Sequence, residues 1–376
     1  MRSKTVHLIA AARPNFMKVA PLWHALAATE GFEPILVHTG QHYDANMSDD
    51  ILRDLQLPPP VHQLGIGSGS HAEQTAGVML AYEKIAIAHR PDWLIVVGDV
   101  NSTVAGAMVG AKLGIRVVHL EAGLRSRDRA MPEEINRLLT DAIADVLWTP
   151  SPDGDANLLA EGVPAERITR VGNIMLDSFE LVRPQIEAAD MAGKLGLERG
   201  RFGVVTLHRP SNVDDPAKLA ELVDALVAVQ KRLPLVFAVH PRTSARMSEF
   251  GLRGRIEASG VRLIDPVPYV SFMSLVTASA IAITDSGGIQ EETTYLGIPC
   301  LTLRENTERP ITVDEGTNRL VRAGNLVAHV DQALTAHLKG RRPELWDGQA
   351  AQRCVDDLVR RSEAEVPVAT LARRAA

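Results

Sequence analysis

Only two cysteines, Cys300 and Cys354, occur in 376 residues, too few for a disulfide framework. With Cys300 expected in a buried strand, the simplest reading is a reduced, cytoplasmic chain. No apolar run approaches the length of a membrane span, and Met1-Arg2-Ser3-Lys4 leads straight into a strand pattern without a signal peptide's apolar segment. The charge lacks a basic excess: 40 Lys and Arg against 46 Asp and Glu give a formal −6, with no basic cluster. Nucleic acid and membrane partners are therefore not expected. A Gly-x-Gly-x-x-Gly turn is missing after the first strand, where Ala10-Ala11-Ala12-Arg13 stands, and Gly65-Ile66-Gly67-Ser68-Gly69 has the wrong spacing. A nicotinamide cofactor is thus not expected. There is no Walker A sequence and no His/Cys metal spacing, and Asp153-Gly154-Asp155 falls at a helix start, so neither metal nor cofactor is called for.

What is present is strand–helix alternation. Val6–Ile9, Ile35–Val37, Trp93–Val97 and Val117–Leu120 read as strands, followed by Gly203–Leu207, Leu235–Val239, Val261–Ile264, Ile281–Ile283 and Cys300–Leu303. Helical patterns lie between them, among them Ile135 to Val146, with Ile135, Leu138, Leu139 and Ile143 on one face. The pattern predicts an α/β fold of parallel sheets with helices on both sides. A length of 376 residues exceeds one ordinary core and fits two domains. Patterning is weakest around residues 171–200, where the main boundary is expected. The halves also echo each other. Ile95-Val96-Val97-Gly98-Asp99 precedes a helix and Leu113-Gly114-Ile115; Ile281-Ala282-Ile283-Thr284-Asp285 precedes a helix and Leu296-Gly297-Ile298. Two doubly wound domains facing a cleft follow, with ligands beyond the carboxyl ends of the strands.

Those ends carry the candidate chemistry. Thr284-Asp285-Ser286-Gly287-Gly288 turns from a strand into a helix, and glycines there let a phosphate approach the first helical N–H groups. Gln290-Glu291-Glu292 lies just behind, where a carboxylate can accept from a ribose. The competing reading is a tight strand–helix turn. His208-Arg209 stands at another strand tip, and Arg13, Lys18 and Arg309 are further candidate cations. Asp99, Glu121 and Glu133 form an acidic set suited to proton transfer at carbon; for Glu133, after Pro132, the alternative is an ordinary helix start.

Six segments occur in a fixed order: Ala12-Arg13-Pro14-Asn15-Phe16-Met17-Lys18, Val97-Gly98-Asp99, His119-Leu120-Glu121-Ala122-Gly123-Leu124-Arg125, Met131-Pro132-Glu133-Glu134-Ile135-Asn136-Arg137, Asp285 to Glu292, and Thr307-Glu308-Arg309-Pro310. Together they resemble the non-hydrolysing UDP-N-acetylglucosamine 2-epimerases over essentially the full length. The resemblance implies a GT-B-like fold of two Rossmann-type domains. The first would span residues 1–172, completed by a C-terminal helix at about 350–376, and the second, UDP-binding, 173–349. It implies a homodimer, a UDP-sugar substrate, and no cofactor or metal. By position it implies that Arg13, Lys18, Asp99, Glu121, His208, Phe272, Ser286, Gly287, Gly288, Glu292 and Arg309 contact nucleotide or sugar. Phe272 would lie against uracil, Glu292 on the ribose, and Ser286, Gly287 and Gly288 on the diphosphate. Asp99, Glu121, Glu133 and His208 would be catalytic.

The implied reaction is reversible C2 epimerisation of UDP-N-acetylglucosamine to UDP-N-acetylmannosamine, by anti elimination of UDP to a 2-acetamidoglucal and re-addition. The alternatives are a hydrolysing variant that releases N-acetylmannosamine and UDP, an epimerase of another UDP-2-acetamido sugar, and a GT-B glycosyltransferase. The chain departs from the family pattern at Arg209-Pro210-Ser211-Asn212, where many members have Arg-Arg-Glu after the histidine, and in a shorter Arg125–Pro132 segment. Gln41-His42-Tyr43-Asp44 keeps a Gln-His pair, but the residues after it differ from the regulatory site of some bacterial members, so allosteric activation is not expected to carry over.

Overall fold

The structure is a computed structural model that describes residues 2–40, 52–335 and 340–364. The Gln41–Asp44 segment, the side chain of Arg13 and the last twelve residues of the expected C-terminal helix lie outside them. The chain divides into two compact units, Met1–Leu181 with Glu344–Ala376, and Val182–Pro343. The crossing falls inside the Ile174–Ala189 helix.

In the first unit β1 (Lys4–Ala10), β2 (Phe32–His38), β3 (His62–Gln63), β4 (Trp93–Val97), β5 (Arg116–Leu120), β6 (Val146–Thr149) and β7 (Ile168–Arg170) form one parallel sheet in the order β3-β2-β1-β4-β5-β6-β7. A parallel sheet is covered on both faces, which is why Trp93-Leu94-Ile95-Val96-Val97 is apolar throughout and wholly buried. Val97 pairs with Leu120, so Asp99 and Glu121 leave neighbouring strands at the same edge. The helix Ala350–Glu363 belongs to this unit: Asp177 accepts its Ala350 and Ala351 N–H groups (3.1 and 2.8 Å), and Trp148 Nε1 donates to Asp357 (2.8 Å).

In the second unit β8 (Gly203–Thr206), β9 (Leu235–Ala238), β10 (Arg262–Ile264), β11 (Ile281–Thr284), β12 (Cys300–Thr302) and β13 (Asn318–Leu320) are parallel in the order β10-β9-β8-β11-β12-β13. Both sheets reverse direction of winding after their first strand, at β1/β4 and at β8/β11. Those are the positions where open α/β sheets bind ligands. The sequence echo has a structural counterpart. Gly114 (φ 69°) and Gly297 (φ 73°) end their helices in left-handed backbone, and Ile115 and Ile298 donate back to Gly110 and Thr293 (3.0 and 2.9 Å). This double C-cap admits glycine without steric cost. Among the described residues no helix is long and apolar enough to cross a membrane.

Two expectations are corrected. The helix expected from Ile135 to Val146 runs Pro132–Ile143, and Val146 opens β6. Its apolar face also does not point inward: Leu139 and Ile143 are exposed (49% and 36%), while Glu134, Asn136, Arg137, Thr140 and Asp141 are buried. The moment read from the sequence was real, but the helix packs by its polar side onto the strand-end turns of β4 and β5. The short strands β3, β6, β7 and β13 were also not anticipated, because two to four residues of mixed polarity carry too little alternation.

His7 lies wholly buried in β1, with Nδ1 at 3.1 Å from the Tyr82 hydroxyl and Nε2 without a hydrogen-bond partner. Burial first, then the neighbouring His62 and His89, lower it from 6.5 to about 4. The native state thus holds His7 neutral while the unfolded chain takes a proton near its ordinary value. Stability is full above that value and is lost as pH falls from about 6.5 to about 4, by at most about 3 kcal/mol. His7→Gln, which retains a partner for Tyr82, should lose less stability than the parent between pH 7 and 4.5 in urea titrations. Equal losses in the two proteins would contradict this assignment.

Candidate active site

The first unit gathers its charged groups at the β1/β4/β5 edge. Asp99 follows Gly98, whose φ of 68° suits glycine, and a Cβ there would stand 3.4 Å from both Glu121 Oε2 and Lys18 Nζ. Each of the two acids meets a buried cation: Lys18 Nζ bonds Glu121, and Arg137 Nη1 bonds Asp99. Asn136 Nδ2 donates to the Asp99 carbonyl at 2.8 Å. Glu121 itself adopts φ 75°, a left-handed conformation uncommon for a residue with a Cβ. It is held there because the Glu121 and Ala122 N–H groups both reach the Trp148 carbonyl (3.1 and 2.9 Å). Backbone held in this way at a strand tip is a mark of functional sites.

Of the two glutamates at the start of the Pro132–Ile143 helix, Glu133 is exposed and Glu134 is buried. Glu134 accepts from Ser126 N (2.9 Å), Arg127 N (2.9 Å) and Arg137 (2.9 Å to Nη2). Burial alone would raise its carboxyl, but these donors and the Arg137 charge hold it below its ordinary value. Glu134 and Arg137 were in a quoted motif yet were not singled out by residue type. Glu134 stands i, i+3 and Glu133 i, i+4 to Arg137, so spacing alone does not choose between them.

In the second unit Asp285, wholly buried at the end of β11, organises the β8 tip. Its carboxylate accepts from His208 N (3.1 Å), Arg209 N (2.9 Å) and Asn212 Nδ2 (3.1 Å), and lies 2.9 Å from His208 Nδ1. Desolvation opposes its ionisation, but His208 and these donors prevail and lower it. The departure at Pro210-Ser211-Asn212 thus has a role: Pro210 opens a four-residue helix that brings Asn212 to Asp285 and to the Leu303 carbonyl (2.9 Å).

Ser286 caps the Gly287–Leu296 helix by its backbone alone, so its side chain makes no cap bond. The first N–H groups of a helix have no intrahelical acceptor and favour an anion. A Cβ on Gly287 would come 2.8 Å from Arg309 Nη1, whereas none would meet anything within 4 Å at Gly288. Arg309 is held by Glu291 (Nε, 2.8 Å) and Glu308 (Nη1, 2.8 Å), and Glu308 also takes Arg304 Nη2 at 2.8 Å. Burial would push Glu308 up, but Arg309 and Arg304 hold it well below the carboxylate range. Glu292 is buried and accepts from the Tyr269 hydroxyl at 2.6 Å, and Phe272 is half-buried on the same Tyr269–Ala278 helix. Asp285 stood in the strand-end motif without a role of its own, and Glu308, Arg304 and Tyr269 were not singled out as site residues; only contacts between distant segments reveal what the four do.

The second unit therefore brings together His208, Ser286, Gly287, Gly288 and Arg309 around one strand–helix turn, with Glu292 and Phe272 on the adjoining helices. The first brings together Lys18, Asp99 and Glu121, and leaves Glu133 at the surface. Among the described residues no group of three or more His, Cys, Asp or Glu is placed to hold a metal ion.

These are the two Rossmann-type units of a GT-B-like nucleotide-sugar fold. The family description for UDP-N-acetylglucosamine 2-epimerase matches residues 24–359. The chain is 37% identical over 360 residues to the UDP-N-acetylglucosamine 2-epimerase of Methanococcus maripaludis, covering 93% of this chain and 97% of that one. It is also 37% identical to the UDP-2,3-diacetamido-2,3-dideoxy-D-glucuronate 2-epimerase of Pseudomonas aeruginosa, over 94% of this chain and 98% of that protein. The crystal structure of the Methanocaldococcus jannaschii UDP-GlcNAc 2-epimerase in complex with UDP-GlcNAc and UDP superposes with a TM-score of 0.84 at 37% identity, over 95% of this chain and 99% of that one. The chain belongs to the UDP-N-acetylglucosamine 2-epimerase family.

The two neighbouring glutamates should separate cleanly in stability. Glu134→Gln weakens a buried ion pair and should lower stability by about 3 kcal/mol. Glu133→Gln, at an exposed position, should stay within about 0.5 kcal/mol of the parent. Urea midpoints measure both, and a Glu133→Gln loss as large as that of Glu134→Gln would overturn the placement.

Proposed function

We propose that the protein is a non-hydrolysing epimerase that interconverts UDP-N-acetylglucosamine and UDP-N-acetylmannosamine. The observation that carries the reading is the pair Asp99 and Glu121, which leave the neighbouring strands β4 and β5 next to the β1/β4 switch point, each beside a buried cation. A glycosyltransferase has no use for two carboxylates held in this way, whereas moving a proton at carbon does.

The second unit holds UDP. The Gly287–Leu296 helix start and Arg309 receive the diphosphate, with Ser286, Gly287 and Gly288 closest to it; Glu292 takes the ribose and Phe272 the uracil. Arg13 and Lys18 add positive charge. The hydrogen at C2 is not next to a carbonyl, so a base alone cannot remove it. The C1–O bond breaks first, its electron pair going to the β-phosphate oxygen, and the developing oxocarbenium acidifies the C2 hydrogen. A carboxylate takes that proton and the C–H pair becomes the C1=C2 bond of a 2-acetamidoglucal. UDP then adds back to C1 while a proton reaches the opposite face of C2. Asp285 accepts from His208 at Nδ1, so the ring in its doubly protonated form has a second N–H, at Nε2, to stabilise the departing phosphate. Asp99 and Glu121 exchange the proton; Glu133, exposed at its helix start, is the third carboxylate that the family resemblance implies. Lys18 and Arg137 hold the two carboxylates in place through their ion pairs. No step needs a redox cofactor or metal.

The Pseudomonas aeruginosa relative favours a second reading on the same chemistry, a UDP-2,3-diacetamido uronate as substrate. Exposed Leu80 and Ile87 on the His71–His89 helix, with Leu139 and Ile143, supply an apolar surface for a second copy of the chain. Light scattering should return twice the 40.7 kDa chain mass, and a single-chain mass at micromolar concentration contradicts the dimer.

Proton NMR of the products tests the function. UDP-N-acetylglucosamine should yield UDP-N-acetylmannosamine with UDP retained. Free sugar and UDP would make the protein a hydrolase, and turnover of only the diacetamido uronate would reassign the substrate. Asp99→Asn and Glu121→Gln should lower turnover by about 10²–10⁴-fold with UDP affinity preserved. Arg309→Ala and Glu292→Ala should instead weaken UDP binding by about 1–3 kcal/mol in calorimetry.

A further inference from the structure

We propose that His119 is a positioning residue that pins the Gly98–Asp99 turn to the Glu121–Gly123 turn through a buried bridge to Asp141. Only its kinetic readout rests on the epimerase reading.

His119 lies in β5 and its side chain is fully buried, as is that of Asp141. Its Nε2 is 2.8 Å from the Gly98 carbonyl oxygen and its Nδ1 is 2.6 Å from Asp141 Oδ1. A carbonyl oxygen can only accept. Asp141 is also an acceptor here: its second oxygen takes the Gly123 N–H at 3.1 Å and Arg125 Nη1 at 2.7 Å. A neutral imidazole has one N–H and can serve only one of two acceptors. With both contacts at hydrogen-bond distance, the ring carries both protons and donates twice. Charge then alternates outward from the core, from His119 to Asp141 to Arg125 to the surface carboxylate of Glu161, whose Oε2 lies 2.6 Å from Arg125 Nη2. Each charge meets an opposite neighbour.

The endpoints of the bridge give it a purpose. Gly98 directly precedes Asp99, and Gly123 stands two residues after Glu121. One imidazole and one carboxylate therefore tie together, from inside the fold, the two turns that carry the proposed proton carriers. The strands fix the Val97–Leu120 register, the Gly98 N–H to Leu120 bond (3.0 Å) and the Glu121 and Ala122 N–H groups on the Trp148 carbonyl of β6, while the two turns adopt left-handed backbone at Gly98, Glu121 and Gly123. Proton transfer between a carboxylate and carbon is sensitive to displacements of about 1 Å, which can lower a rate by about 10²-fold.

The test joins a spectroscopic and a kinetic readout. Long-range ¹H–¹⁵N spectra of the full chain labelled at histidine should show both ring nitrogens of His119 protonated at pH 8, the signal being assigned by its loss in His119→Asn. A His119 ring with one protonated nitrogen overturns the bridge. In kinetics, His119→Asn and the isosteric Asp141→Asn should each lower kcat by about 10²-fold while KM and UDP affinity change by less than about twofold. Equal kcat in parent and Asp141→Asn, well below its melting temperature, would make the network merely structural and overturn the proposal. Should His119→Asn not fold, Asp141→Asn supplies the kinetic result, and substitution of the other buried histidines among the described residues, His7 and His38, narrows the assignment by exclusion. If the parent epimerises no UDP-sugar, the functional reading fails, and the spectrum still decides the bridge.

Discussion

A parallel sheet sends the carboxyl ends of all its strands to one edge, and where winding reverses no crossover helix covers that edge. Both units of this chain obey that constraint, and nearly every group with chemical potential stands where it applies. Asp99 and Glu121 leave β4 and β5; His208 and Asp285 leave β8 and β11. Such an edge is half desolvated by its own sheet. An ionised side chain there needs a partner, or burial would neutralise it. The partners are Lys18 and Arg137 in the first unit, and Arg304 and Arg309 around Glu308 in the second.

This need explains the oddest packing in the fold. The Pro132–Ile143 helix buries its polar face and exposes Leu139 and Ile143. In a helix that only completes a core the reverse is expected. Here Arg137 reaches the Asp99 carboxylate, Glu134 the Ser126 and Arg127 N–H groups and Arg137 itself, Asn136 the Asp99 backbone, and Asp141 the His119 ring. A buried ion pair is weak evidence for stability, since well-packed apolar residues can do as well. Its use in this chain is to hold charge in place at a strand edge, and the apolar face displaced by that requirement is left outward.

Long apolar strands such as Trp93–Val97 were legible from sequence, because burial on both faces writes a continuous run. The Leu-Gly-Ile echo was legible for a related reason: a left-handed C-cap demands glycine at Gly114 and Gly297 alike. The Ser286-Gly287-Gly288 turn was legible as a strand–helix turn, and Gly287 leaves room there for Arg309. What stayed hidden is what tertiary contact decides. Nothing local distinguishes Glu133 from Glu134, and only the fold shows which one turns inward. Nor does a hydrophobic stripe say whether it meets the core, and Leu139 and Ile143 lie exposed. Strands as short as Asn318–Leu320 have no pattern of their own, and their register is set by the neighbours that precede them.

The account rests on one chemical claim, that the strand-tip carboxylates exchange the C2 proton after UDP departs. Incubation with UDP-N-acetylglucosamine in deuterium oxide, followed by proton NMR, tests it most directly. The account predicts deuterium at C2 of both epimers, with UDP bonded to C1 at equilibrium. Epimers formed with protium retained at C2 would contradict it.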